Sequence, residues 1–199
     1  MSGREDAVAA YFARSVEALG RAAGDRHLLA ATLAIADAIA AALRAGGKVL
    51  IAGNGGSAAD AQHIAAELLS RFAAERRPLP AVALTDPAVL TAIGNDYGFE
   101  CVFERQVRGL GQRGDLLLAL STSGRSPNVL AALKAAREGG LVAIGFTGQQ
   151  GTPLRALCDL CLVAPSDETA VIQQIHMTAA HAICALVERD LGSSGAGDS

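Results

Sequence analysis

Short runs of consecutive apolar residues alternate along this chain with longer segments in which apolar residues recur at helical spacing. The runs predict buried strands, and the periodic segments predict helices. The predicted strands are Val49–Ala52, Ala81–Leu84, Leu116–Leu120, Val142–Phe146 and Leu160–Val163. The predicted helices cover residues 6–22, 27–45, 58–72, 87–93, 99–110, 128–138, 153–157 and 168–189. This alternation indicates an α/β fold, an open parallel sheet of about five strands covered by helices on both faces.

Two of these helices precede the first predicted strand. They are too few to form a separate domain. We therefore expect a single domain over residues 1–191, in which both helices pack on a neighbouring subunit. Residues 192–199 are rich in glycine and serine, and this composition predicts a flexible tail.

The composition excludes several classes of protein. Hydrophobic residues make up 51% of the chain, which excludes disorder, while charged residues make up only 19%, so that subunits are expected to cover part of the surface. The net charge of −3, without a basic stripe, argues against nucleic-acid binding. Asp37 interrupts the longest apolar segment, and the amino terminus lacks a secretory pattern. We expect a cytoplasmic protein without a membrane partner.

The four cysteines fit reduced thiols in a cytoplasmic chain. Cys158 and Cys161 have the C-x-x-C spacing of a zinc or redox site, but they lie in an apolar stretch without a second pair to complete a four-thiolate site. We therefore expect both to be buried strand cysteines.

Two strand–loop–helix units carry the first functional signal. The loops read Gly-Asn-Gly-Gly-Ser at 53–57 and Ser-Thr-Ser-Gly-Arg-Ser-Pro at 121–127, where Ser126-Pro127 also predicts a helix start. Small residues, hydroxyl groups and free N–H groups at a helix N-terminus suit a phosphate. Neither loop has the lysine of a nucleotide-binding loop or the G-x-G-x-x-G pattern. The loops therefore favour a small phosphorylated metabolite over a nucleotide, the alternative being glycine–serine turns that bind nothing.

The second signal lies on two helices. His63 and Glu67 are four residues apart and share one helix face. Gln173 and His181 lie within about 80° of each other around the last helix but ~12 Å apart along it. These side chains suit a divalent metal such as zinc, or a general acid–base pair. A solvated His63–Glu67 pair is the alternative, and His176, one turn from Gln173, is a competing candidate for the site.

Four segments resemble the SIS (sugar isomerase) domain family, and within it the isomerases of heptose phosphates. They are residues 52–63 (AGNGGSAADAQH), 90–98 (LTAIGNDYG), 120–128 (LSTSGRSPN) and 172–181 (IQQIHMTAAH). The resemblance extends over residues 7–191. It implies the SIS fold, a flavodoxin-like three-layer sandwich with two extra N-terminal helices.

The resemblance also implies a set of site residues. It assigns Glu67 and His181 as the acid–base pair, and His63, Glu67, Gln173 and His181 as the ligands of one Zn²⁺ ion per subunit. The implied substrate-binding residues are Asn54, Gly55, Gly56, Ser57, Glu67, Asn95, Asp96, Ser121, Thr122, Ser123, Ser126 and Gln173. Among them, the four hydroxyl residues of 121–126 correspond to the phosphate-binding loop.

The implied activity is isomerisation of a ketose phosphate, sedoheptulose 7-phosphate, to the aldose D-glycero-D-manno-heptose 7-phosphate through an enediol or enediolate. This reaction is the first step of nucleotide-activated heptose biosynthesis. The resemblance further implies a homotetramer with active sites at subunit interfaces. Two alternatives stay open: a non-catalytic SIS protein that associates with the replication initiator, and an SIS isomerase of another sugar phosphate.

Overall fold

The computed structural model of the chain describes residues 3–192. Its strands are β1 (Val49–Gly53), β2 (Ala81–Ala83), β3 (Leu116–Leu120), β4 (Val142–Gly148) and β5 (Leu160–Ala164). Its α-helices are α1 (Gly3–Gly24), α2 (Arg26–Arg44), α3 (Gly56–Leu69), α4 (Pro87–Tyr97), α5 (Glu104–Leu110), α6 (Pro127–Gly139), α7 (Thr152–Arg155) and α8 (Thr169–Gly192). The α/β fold predicted from the alternation is confirmed.

The strands form one parallel sheet in the order β2-β1-β3-β4-β5. This is the strand order of flavodoxin-like folds, in which ligands bind at the point where the order reverses, here between β1 and β3. Gly53 at the end of β1 pairs with Leu120 at the end of β3. The two glycine- and serine-rich loops therefore leave the sheet side by side.

Both faces of the sheet are covered, which explains why its strands are almost entirely apolar. Val49 and Ile51 join a core with α1, α2, α3 and α8, whereas Leu50 and Ala52 join a second core with α5, α6 and α7. The side chains of successive strand residues point to opposite faces, so one strand supplies both cores.

The predicted helix boundaries differ most from the structure in three places. The helix predicted over 99–110 is a 3-10 helix, Phe99–Cys101, followed by α5, because Val102 and Phe103 turn inward and are fully buried between them. The helix predicted to end at 72 ends at Leu69, since the backbone N–H groups of residues 72–74 bind Glu188 of α8 instead. The helix predicted over 87–93 continues to Tyr97.

The expectation of buried strand cysteines holds only in part. Cys161 lies in β5, whereas Cys158 precedes that strand, and both are half-buried. Most of the tail predicted over 192–199 lies outside the described residues, and Gly192 itself is the last residue of α8.

By length and composition alone, α2 and α8 are long and apolar enough to cross a membrane. The core helices of a globular fold pass the same test. Here α2 packs against α8 and β5, and its residues Ile35, Ile39 and Leu43 are buried in the first core. Contrary to the expectation that both N-terminal helices pack on a neighbouring subunit, the buried face of α2 therefore packs within its own chain, while Leu29 and Leu33 stay exposed.

Candidate active site

The first loop brings the chain from β1 into α3 through a tight turn. Gly55 has a φ of +57°, a backbone conformation that favours glycine. Gly53 lies so close to α3 that a Cβ atom there would come within 2.8 Å of the Ser57 side chain. Gly55 and Gly56 are exposed, whereas Ser57 is buried. The glycines at the N-terminus of α3 therefore leave room for an anion.

The second loop, residues 121–126, is called the serine loop below. Its backbone extends the ladder between β3 and β4: the Ser121 N–H donates to Phe146 O at 3.0 Å, and the Gly148 N–H donates to Thr122 O at 3.0 Å. Gly124 has a φ of +62° and lies against the end of β4. The loop is thereby tied to the sheet while Ser123 stays exposed.

Ser126 occupies the predicted N-cap position of α6, but its side chain makes no capping hydrogen bond. Its hydroxyl lies 3.0 Å from that of Ser121 instead. The two hydroxyl groups at the ends of the serine loop are therefore paired across it.

A pair of amides joins the two loops. The side-chain Nδ2 of Asn54 donates to Oδ1 of Asn128 at 2.9 Å, and Nδ2 of Asn128 donates back to Oδ1 of Asn54 at 2.9 Å. Asn128 is buried on the first turn of α6. Asn128 is not among the site residues predicted from the sequence, although it lies two residues after the serine loop and ends one of the four motifs. This pair fixes the loops relative to each other.

The predicted helix-borne side chains meet on α3 and α8. His63 Nε2 lies 3.1 Å from Glu67 Oε1, and His181 Nε2 lies 3.3 Å from His63 Nε2. A ligand atom from each of the three residues lies within 4.8 Å of the others. The His63 side chain is half exposed, whereas Glu67 is more buried. We call these three residues the triad, and they could hold a metal ion.

A buried ion pair between Arg76 and Glu188 fixes the neighbouring segment of the chain. The Glu188 carboxylate accepts the N–H groups of residues 72–74, and the Arg76 guanidinium donates to the carbonyl groups of Glu67 and Leu68. Burial alone would raise the pKa of Glu188, but these three N–H donors and Arg76 together hold it below its usual value. The ring of Phe72 is thereby placed 5.7 Å from that of His181.

Among the described residues, neither Gln173 nor His176 is hydrogen-bonded to the triad. A Cβ atom at Gly56 would overlap the Gln173 amide, so Gln173 contacts the first loop at the N-terminus of α3. His176 is fully buried, and its Nε2 lies 3.3 Å from Thr147 O. His176 is therefore not the competing ligand considered from the sequence. The predicted metal role of Gln173 stays a prediction.

Asp60 is a further residue that sequence reasoning missed. It lies on α3 one turn before His63, and its Oδ2 is buried without a hydrogen-bond partner among the described residues. Burial raises the pKa of Asp60, and the nearby His63 partly offsets this effect. Its i, i+3 spacing from His63 was the available signal.

Asn95 and Asp96 are exposed on the last turn of α4, where Asn95 Nδ2 donates to Asp96 Oδ1 at 2.8 Å. Asp96 also lines a groove between α4 and α5 with Arg105. Their predicted contact with substrate stays a prediction.

The site can bind an anion and carry out proton transfer or metal chemistry. The loops present hydroxyl and N–H donors at two helix N-termini, which suit a phosphate. The triad offers imidazole and carboxylate groups for proton transfer or metal binding.

A family model described as the SIS domain matches residues 11–148. A phosphoheptose isomerase from Bradyrhizobium sp. strain BTAi1 is 59% identical over 94% of this chain and 95% of its own length.

The chain belongs to the phosphoheptose isomerases of the SIS domain family. Two solved structures are similar throughout. The phosphoheptose isomerase GmhA from Neisseria gonorrhoeae is 45% identical with a TM-score of 0.86, covering 93% of this chain and 98% of that one. The phosphoheptose isomerase from Francisella tularensis is 40% identical with a TM-score of 0.89, covering 95% and 100%. The family resemblance and the SIS fold predicted from the four motifs are confirmed.

Proposed function

We propose that this chain is a phosphosugar isomerase that converts sedoheptulose 7-phosphate to D-glycero-D-manno-heptose 7-phosphate, the first step of nucleotide-activated heptose biosynthesis. The convergence of His63, Glu67 and His181 carries the proposal. A protein that only kept the fold would not need an imidazole–carboxylate cluster. Membership of the phosphoheptose isomerase family supports the choice of substrate over other sugar phosphates.

The serine loop anchors the phosphate. Ser121, Thr122, Ser123 and Ser126 supply hydroxyl donors, and the N-terminus of α6 adds a favourable field for the negative charge. Since the phosphate lies far from C1 and C2, this binding energy serves to orient the reacting end of the sugar.

The first loop, the triad and α4 receive the rest of the sugar. Exposed Gly55 and Gly56 allow the sugar to approach the backbone. The other proposed contacts are Asn54, Ser57, Glu67, Asn95, Asp96 and Gln173. Of these, Asn54 is already oriented by its partner Asn128.

Isomerisation moves one proton from C1 to C2 and one proton between the two oxygens. Glu67 removes the C1 proton, which leaves an enediol or enediolate, and returns a proton to C2. His181 transfers a proton to and from the sugar oxygens. The Glu67 side chain is 23% exposed, which leaves its carboxylate accessible to a bound sugar.

The triad fits the zinc ion that the resemblance implies. Two ligand atoms at ~2.0–2.1 Å from a tetrahedral zinc ion lie ~3.3 Å apart, close to the 3.1 and 3.3 Å between these side-chain atoms. We assign His63, Glu67 and His181 as ligands and Gln173 as the fourth. A zinc-bound carboxylate is a weaker base, so Glu67 shifts between the metal and the substrate during turnover. When bound, zinc would polarise the carbonyl group and stabilise the enediolate.

We also propose a homotetramer in the cytoplasm, with active sites at subunit interfaces. Val8, Phe12 and Val16 are 58%, 68% and 70% exposed along one face of α1, an apolar strip that suits a second copy of the chain. Light scattering measures the mass, and an active monomer would contradict this assembly. All four cysteines are free, which fits a reducing compartment.

The activity is tested by mixing the purified chain with sedoheptulose 7-phosphate and following the product by NMR. We expect the heptose aldose phosphate to form, with much slower turnover of fructose 6-phosphate. Faster turnover of another ketose phosphate would reassign the substrate. Absence of turnover, together with capture of the replication initiator, would favour the non-catalytic alternative.

The metal is tested by chelation followed by re-addition of zinc. We expect activity to fall on chelation and to return with zinc in the wild-type chain. His63→Ala should bind less zinc by elemental analysis and should not recover. Unchanged turnover in the metal-free protein would remove zinc from the mechanism.

A further inference from the structure

Helix α8 contacts three separate parts of the site. Gln173 lies against Gly56 of the first loop, and His181 meets His63 of the triad. Between them, His176 reaches Thr147 at the end of β4. The first and last contacts involve groups already assigned to substrate or metal, whereas His176 has no such role.

Thr147 lies directly beneath the serine loop. A Cβ atom at Gly124 would come within 2.8 Å of Thr147 Oγ1, so the loop backbone rests on this side chain. The residues on either side of Thr147 hold the loop backbone at Ser121 and Thr122. Any displacement of Thr147 would therefore be transmitted to the whole serine loop.

Burial and two contacts, with Thr147 O and the Phe146 ring, orient the His176 ring. It is fully buried, and its centre lies 5.4 Å from that of Phe146, in an edge-on arrangement. Burial lowers the pKa of His176 to about 4, so the ring is neutral at physiological pH. Thr147 O can only accept a hydrogen bond, so the proton of the neutral ring lies on Nε2. Nδ1 is unprotonated and has no hydrogen-bond partner among the described residues.

We infer that His176 is a positioning residue, which holds the serine loop at a fixed distance from the triad by donating its Nε2–H to Thr147 O. Because His176 and His181 lie on the same helix, the loop and the triad then share one rigid support. The inference rests on the proposed role of the serine loop in binding phosphate. His176 thus contributes to substrate binding through the serine loop, without contacting the substrate itself.

The test compares His176→Leu, which removes the donor, with His176→Gln, whose Nε2 can replace it. We expect His176→Leu to raise the KM for sedoheptulose 7-phosphate about tenfold, with kcat within about twofold of wild type, because one buried hydrogen bond is lost. His176→Gln should restore most of the KM. An unchanged KM in His176→Leu would overturn the inference.

Ile183→Ala is the matched control, since Ile183 is buried on α8 seven residues, or ~10 Å along the helix, beyond His176. It should lower the melting temperature without changing KM, whereas an equal rise in KM would indicate a general loss of structure and overturn the inference. Should His176→Leu not fold, His176→Asn serves instead, because its shorter amide does not reach Thr147 O. Equal KM values for the Asn and Gln variants would then overturn it.

A Ser123→Ala variant separates this inference from the proposed function. If its KM rises but that of His176→Leu does not, only the positioning role of His176 fails. If the KM of Ser123→Ala is unchanged, the proposal that the serine loop anchors the phosphate fails, and the inference about His176 fails with it.

Discussion

The serine loop and the triad are built from different parts of the polypeptide. The serine loop is shaped by its backbone, which continues the hydrogen-bond ladder between β3 and β4 through Ser121 and Thr122. The triad consists only of side chains, and His63 and His181 are separated by 118 residues. The loop is thus fixed by neighbouring strands, whereas the triad depends on the packing of two helices.

This difference separates two kinds of task. A backbone-defined loop can keep its shape when one side chain is changed, so that each hydroxyl contributes a share of the affinity for phosphate. In a side-chain cluster, each member supplies a different chemical group, so no other member can replace the one that is removed. We therefore expect substitutions in the triad to affect turnover and those in the serine loop to affect affinity.

The largest effect is expected for Glu67→Gln, which removes the base but keeps the shape of the side chain. It should lower kcat by about 10²–10⁴-fold with little change in melting temperature. Glu75→Gln is the control, because Glu75 is an acidic residue nearby with a side chain 86% exposed. Near-normal turnover of Glu67→Gln would remove this residue from the chemistry.

Ser123→Ala should raise KM about tenfold and leave kcat almost unchanged, because one hydrogen bond to a charged phosphate is lost while the loop backbone stays in place. Steady-state kinetics with sedoheptulose 7-phosphate measures both constants. Ser15 of α1 provides a control, Ser15→Ala, with no expected effect, because its hydroxyl donates to Tyr11 O on its own helix. A loss confined to kcat would contradict the division of tasks.

Asn128→Ala tests the link between the two loops. It leaves the Asn54 amide without its partner and should destabilise the fold by about 1–3 kcal/mol, as measured by urea unfolding. The double variant with Asn54→Ala should cost less than the sum of the single variants. Strictly additive costs would show that the amide pair contributes no coupling.

His176 should make the stability of the fold depend on pH, and this is the smallest of the expected effects at neutral pH. Its pKa of about 4 in the folded protein lies below the ordinary 6.5, so the unfolded chain takes up this proton first as the pH falls. Stability should therefore decrease between pH 6.5 and 4 by up to about 3 kcal/mol from this group. His176→Gln should flatten this decrease in thermal melts at several pH values, and an identical slope would contradict the assignment.

Much of the fold was predictable because the strands are buried on both faces. Apolar runs such as Leu116–Leu120 are too short for a core helix and too apolar for a surface loop, and glycines mark where such runs lead into helices. The errors arise where distant contacts decide the local structure. Helix α3 ends early because Glu188, 116 residues away from Phe72, binds the backbone that follows. No local pattern contains this information.

For the candidate site, the sequence indicates which side chains share a helix face but not which distant side chains they meet. The spacing of His63 and Glu67 predicts that they share a helix face, but their meeting with His181 depends on how α3 packs on α8. The roles of Asn128 and His176 come entirely from partners far along the chain, Asn54 and Thr147. Residue type made His176 a competing candidate for the metal site, but neither residue type indicated these contacts.

Helix α8 also bears on how the protein is made. Its residues complete contacts with Gly56, Thr147 and His63, all of which leave the ribosome earlier. These three contacts cannot all be complete before His181 has been synthesised, so a chain truncated before α8 would lack the triad and the support beneath the serine loop.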